Sequence, residues 1–145
     1  MQPSVDIAAL LHSTRRIAVV GLSPKPQRES YGVAQYMQAA GFVIIPINPV
    51  VAASDEPFIL GQPCYASLTD AAQQGRIDMV NVFRNAADVP PVADEAIAIR
   101  AHSLWLQLGI WHDAAAAKAQ TAGLVVVQDT CLKIAHRALP PSALA

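Results

Sequence analysis

Gly21-Leu22-Ser23, followed at short range by Lys25 and Arg28, is a set of residues suited to holding phosphate. Glycine lets the backbone come close to an anion, the serine adds a hydroxyl donor, and the two cations offer charge-assisted hydrogen bonds. The same two cations also read as solvated loop charges, and both readings stand at this level. More polar residues follow other apolar runs: Asn48 and Pro49, Arg84 and Asn85, Gln107 and Gly109, and Asp129 ahead of Cys131. Arg84 ends an apolar run, where a charge needs a partner. His112 beside Asp113 has the makings of a general-base pair, while Asp113 reads equally as a helix cap. Cys131, near a helix start, has the setting that favours a thiolate, whereas a buried free cysteine behaves as a small hydrophobe.

These residues are spaced by the elements of an α/β fold. Apolar runs rich in β-branched residues cover 17–21, 43–47, 79–83, 104–108 and 124–128. None alternates apolar with polar residues, so each suits a strand covered on both faces, as in a parallel sheet. Helical patterns fill the intervals over 31–40, 68–74, 89–101 and 114–122, with Gly41, Gly75 and Gly123 where helix ends favour positive φ. Ser4 is placed to cap a short helix over 5–11, and a last helix is expected over 132–139. The longest irregular stretch, 49–66, carries three prolines. The alternation predicts a single doubly wound, Rossmann-like domain over residues 1–139, with five strands in the order 3-2-1-4-5 and helices on both faces. Residues 140–145 read as a disordered tail. In such a sheet ligands bind beyond the carboxyl ends of the strands, which is where the polar residues converge.

The composition narrows the partners. A chain of 145 residues with 53% hydrophobic and 14% charged side chains suits one compact domain with an apolar self-association face, so a homodimer or another protein partner is open. Ten basic against eleven acidic residues argue against a nucleic-acid groove or an anionic membrane surface. Cys64 and Cys131 have no metal-binding spacing, so no metal site is expected. The absence of a long apolar run and of a signal-peptide pattern points to the cytoplasm.

The motifs Ala18-Val-Val-Gly-Leu-Ser23, Pro46-Ile-Asn-Pro49, Leu60-Gly61, Asp78-Met-Val-Asn-Val-Phe-Arg84, Leu104-Trp-Leu-Gln-Leu-Gly109 and Asp129-Thr-Cys-Leu-Lys133 together resemble the small CoA-binding-domain proteins. These are similar to the N-terminal, CoA-binding half of the succinyl-CoA synthetase alpha subunit. The resemblance spans residues 4–137. It implies coenzyme A as cofactor, with Gly21, Leu22 and Ser23 at the pyrophosphate and Lys25 and Arg28 on phosphate oxygens. It puts Ile47, Asn48 and Pro49 on the adenosine side, and Val82, Phe83 and Arg84 at the adenine and its ribose phosphate. Leu106, Gln107 and Gly109 would flank the pantetheine arm. Relatives often carry a lysine after the Asn-Pro pair, where Val50 stands here, and an arginine before the late cysteine, where Thr130 stands. In the synthetase the catalytic phosphohistidine belongs to a further domain, so the resemblance implies binding of CoA or acyl-CoA and no ligation.

Two observations on the residues themselves favour CoA over a nicotinamide dinucleotide. The first turn lacks the G-x-G-x-x-G spacing, and no acid closes the second strand to accept a ribose 2′-hydroxyl. The expected role is a non-catalytic carrier, sensor or regulatory module. An NAD(H)-binding redox sensor and an enzyme acting on acyl-CoA, with His112, Asp129 or Cys131 as working groups, are the alternatives.

Overall fold

Each apolar run forms a strand because alternate residues find cover on opposite faces of one sheet. A computed structural model describes residues 4–140. Helix α1 (Ile7–His12) leads into strand β1 (Arg16–Val20), α2 (Glu29–Ala39), β2 (Val43–Ile47) and the short α3 (Pro49–Ala52). A small hairpin, β3 (Phe58–Ile59) and β4 (Gln62–Pro63), precedes α4 (Leu68–Ala72) and β5 (Met79–Val82). A 3-10 turn at Ala86–Asp88 opens α5 (Val89–Ala98), followed by β6 (Ser103–Leu106), α6 (Asp113–Thr121), β7 (Val125–Val127) and α7 (Leu132–Arg137). Ile17, Val19, Met79 and Trp105 face α1, α2 and α7. Ala18, Val20, Val80 and Leu104 face α4, α5 and α6. Burial of both faces is the driving force, at roughly 1.5–3 kcal/mol for each large apolar side chain fully removed from water.

The five long strands are all parallel, in the order β2-β1-β5-β6-β7. Numbered by those strands alone the order is 2-1-3-4-5, which corrects the expected 3-2-1-4-5. The cause lies in the irregular segment after β2. It folds back along the outer edge of β2, where the Tyr65 N–H donates to Pro46 O and the Asn48 N–H donates to Tyr65 O. The place a third strand would take is therefore filled. Helix α4 then packs over β1 and β2 and delivers β5 to the far side of β1. The strand order thus reverses between β1 and β5, which puts the ligand crevice at their carboxyl ends.

Helix starts differ in detail from the sequence reading. Asp6, not Ser4, caps α1, accepting from the Ala9 N–H at 3.0 Å. His112, not Asp113, caps α6: its Nδ1 accepts from the Ala115 N–H at 3.0 Å, and Asp113 is the first helical residue. Imidazole nitrogen does here what a carboxylate was expected to do. His136, in the last turn of α7, is buried, with its Nδ1 2.9 Å from the Tyr36 hydroxyl and its ring edge-on to Tyr36 and Phe42. Beyond Pro140 the expected tail lies outside the described residues.

Candidate functional site

The first turn is shaped by a contact between strand ends. Gly21 has φ of +86°, and a Cβ on it would stand 2.3 Å from the Phe83 carbonyl oxygen. Only glycine lets the chain leaving β1 pass this close to the chain leaving β5. Beyond it the loop is locked by two serines. The Ser23 N–H donates to Ser30 Oγ at 3.0 Å, and the Lys25 N–H donates to Ser23 Oγ at 3.1 Å. Both hydroxyl hydrogens stay available to an acceptor in the cleft.

Helix α2 begins at Glu29, two residues earlier than its apolar pattern suggests. Its cap residue is Arg28, whose side chain makes no capping bond. The N–H groups of Glu29, Ser30 and Tyr31 have no acceptor among the described residues; the next one, of Gly32, donates to Arg28 O. An uncapped helix start with free N–H groups and the positive end of the helix dipole favours an anion.

This helix start opens into a cleft of about 620 Å³ lined by Gly21, Ser23, Pro24, Lys25, Arg28, Glu29, Ser30, Asn48, Pro49, Val50, Phe83 and Arg84. Lys25, Arg28 and Arg84 are exposed and in no ion pair among the described residues. Arg84 stands two residues past β5, so solvent rather than a buried acid satisfies its charge. A second cleft, of about 450 Å³, adjoins the first across a wall shared by Glu29, Phe83 and Arg84. It is completed by Asn85, Ala86, Asp88, Gln107, Leu108, Gly109 and Ile110. Another cleft, of about 590 Å³, lies at the opposite end of the sheet between α1 and β7; its lining carries no lysine or arginine.

The fourteen residues singled out from the sequence divide three ways. Gly21, Ser23, Lys25, Arg28, Asn48, Pro49, Phe83 and Arg84 line the first cleft, and Gln107 and Gly109 line the second. Leu22, Ile47, Val82 and Leu106 belong to the core clusters, where their side chains are fully or almost fully buried. Asn48 holds the site's frame. Its Nδ2 donates to Leu22 O at 2.9 Å, and its Oδ1 accepts from the Val50 and Val51 N–H groups. It thereby ties the end of β2 to the turn after β1 while capping α3.

Gln107 is buried beneath the second cleft. Its Oε1 accepts from the Leu132 N–H and from Asn81 Nδ2, each at 3.3 Å, while Nε2 has no partner among the described residues. A backbone N–H facing one end of the amide fixes that end as oxygen. The loop above is held by the Gly109 N–H, which donates to Asp129 Oδ1 at 2.7 Å, and by the Asp129 N–H, which donates to Ile110 O. Cys131 sits in the core behind it, 8% exposed. Glu29, Ser30, Asn81 and Asp88 were not singled out from the sequence. The stretch from Pro24 to Ser30 reads as one turn, and the acid at a helix start was the available signal for Glu29.

A doubly wound parallel sheet with its polar clefts at the switch point defines a Rossmann-like α/β domain of the ligand-binding kind. Residues 15–137 match the family described as CoA binding domain, and the chain belongs to that family. It is 40% identical over 131 residues to YneT of Bacillus subtilis (strain 168), an uncharacterized protein, covering 90% of this chain and 92% of YneT. The cell-free ID.343 structure from Thermus thermophilus superposes with a TM-score of 0.84 at 30% identity, covering 91% of this chain and 95% of that one. A hypothetical protein from Pyrococcus horikoshii OT3 also gives 0.84, at 29% identity, covering 96% and 99%.

Proposed function

We propose that the chain binds coenzyme A or an acyl-CoA and acts as a non-catalytic carrier, sensor or regulatory module. The observation that carries this reading is the uncapped start of α2: Glu29 and Ser30, whose N–H groups have no acceptor among the described residues, line a cleft ringed by Lys25, Arg28 and Arg84. Backbone donors and unpaired cations at one switch point suit a diphosphate. Family membership supplies the rest of the ligand. In this reading Ser23 and the N–H groups of α2 hold the diphosphate, Pro49 and Val50 border the adenosine, and Arg84 meets its ribose phosphate. Gln107 and Gly109 flank the arm.

Calorimetric titration of nucleotide-stripped protein with CoA, dephospho-CoA and NADH at one salt concentration tests the reading. One charge-assisted phosphate contact contributes about 1.5–3 kcal/mol, roughly ten- to hundredfold in affinity. CoA is therefore expected to bind at micromolar or lower concentration, and dephospho-CoA more weakly by that factor. Binding of NADH without CoA would transfer the site to a redox sensor. Binding of none of the three would end the proposal.

A further inference from the structure

The two adjoining clefts carry opposite charge. The first holds Lys25, Arg28 and Arg84 against Glu29 alone; the second holds Arg84 against Glu29 and Asp88. Glu29 stands on the shared wall, exposed, with no ion pair and no side-chain hydrogen bond among the described residues. Asp88 likewise makes no side-chain capping bond at the start of α5. The remaining polar lining of the second cleft comes from the amides Asn85 and Gln107 and from backbone.

From this division we infer that Glu29 is a selectivity residue. It accepts a hydrogen bond from a neutral, donor-bearing arm running from the first cleft into the second, and it repels any ligand that ends there in a bare phosphate. The inference rests on the anion-binding reading of the first cleft and adds what lies beyond it. A diphosphate diester carries its charge in the first cleft and presents hydroxyl or amide N–H groups to the carboxylate. A nucleoside 5′-diphosphate instead ends in a dianionic phosphate at the mouth of the second cleft, where Glu29 and Asp88 outnumber Arg84 and like charges disfavour each other. An ionised carboxylate is an acceptor only, so it discriminates donors from anions by sign.

Glu29 is also the first residue of α2, where any acid favours the helix dipole. That role alone predicts a small loss of stability on neutralisation, with both kinds of ligand shifting together. The selectivity role predicts opposite shifts. Glu29→Gln and Glu29→Ala are compared with the wild-type chain by calorimetry against CoA and ADP at low and high salt, with a thermal melt to show that each variant is folded. Expected is ADP binding about fivefold tighter in both variants at low ionic strength, with the gain shrinking as salt is raised. Expected for CoA is weaker binding, by about threefold for Glu29→Gln and more for Glu29→Ala, as an acceptor is weakened and then removed. Parallel shifts for the two ligands, or no shift, overturn the assignment while leaving CoA binding by the wild-type chain intact. Failure of the wild-type chain to bind CoA overturns the reading of the whole groove instead.

Discussion

Asn48 donates from Nδ2 to the carbonyl oxygen of Leu22 at 2.9 Å, so the strand end expected to face the adenosine is braced against the turn expected to face the diphosphate. The other end of the same amide caps α3. One side chain therefore joins the end of β2, the turn after β1 and the start of α3.

Separating the two duties of Asn48 is a matter of two substitutions. Asn48→Ala removes three hydrogen bonds, two of which cap α3, and is expected to cost about 2 kcal/mol of stability. Asn48→Asp keeps the acceptor for Val50 and Val51 but sets a carboxylate against the Leu22 carbonyl and beside the anion site. It should retain more stability than Asn48→Ala and bind CoA more weakly. Denaturant unfolding and calorimetry on the pair check this. Equal stability of the two variants would refute the capping share.

Gly21 tests the strand-end contact. Gly21→Ala places a Cβ against the Phe83 carbonyl at a positive φ, and that carbonyl is backbone that cannot swing aside. A loss of at least about 2 kcal/mol is expected, from backbone strain and overpacking together. CoA affinity should fall as well, since β1 and β5 must separate. A variant with wild-type melting and wild-type affinity would show that the turn relaxes freely.

Arg84 follows β5, is exposed, and lines both clefts. Arg84→Ala is expected to weaken CoA ten- to hundredfold with melting within about 0.5 kcal/mol of the wild type. If its partner is the ribose phosphate, the loss is much smaller for dephospho-CoA. An equal loss for both ligands would move Arg84 to the diphosphate.

The parallel sheet was legible because its cause is local. A run such as 17–20 is apolar at every position, since Ile17 and Val19 pack on one face and Ala18 and Val20 on the other. Strand order was not legible, because it depends on what the segment after β2 pairs with. That segment has no periodicity, and its hydrogen bonds to Pro46 and Asn48 are made by backbone atoms whose sequence leaves no mark. The same distinction runs through the site. Lys25, Arg28 and Arg84 were legible as charges near strand ends, whereas the resemblance put whole stretches beside the ligand, residues with core-facing side chains among them. Leu22, Ile47, Val82 and Leu106 are the residues of those stretches that turn inward. The start of α2 was missed by two residues because Arg28 is not a capping residue type, and that missing cap is what frees the N–H groups.

Cys64 gives the pH dependence. It is 8% exposed, and burial raises the pKa of its thiol above the ordinary value, with its Sγ 3.5 Å from Asn48 O. A folded-state pKa above the unfolded one means that the native chain holds this proton more tightly. The associated stability is fully present below the unfolded value and is lost as pH rises through the folded one. Unfolding free energy should therefore fall between about pH 8 and 10, the range in which an unfolded thiol ionises. Cys64→Ala removes the group, at a cost near neutral pH of about 1 kcal/mol for the lost packing. Its stability should decline less steeply across the same range. The neutral, buried thiol should also react slowly with an alkylating reagent in the native chain and quickly after unfolding, since the thiolate is the nucleophile. Identical slopes for the two proteins, or rapid native alkylation of Cys64, would mean that the segment from Pro57 to Tyr65 opens far more readily than its pairing along β2 implies.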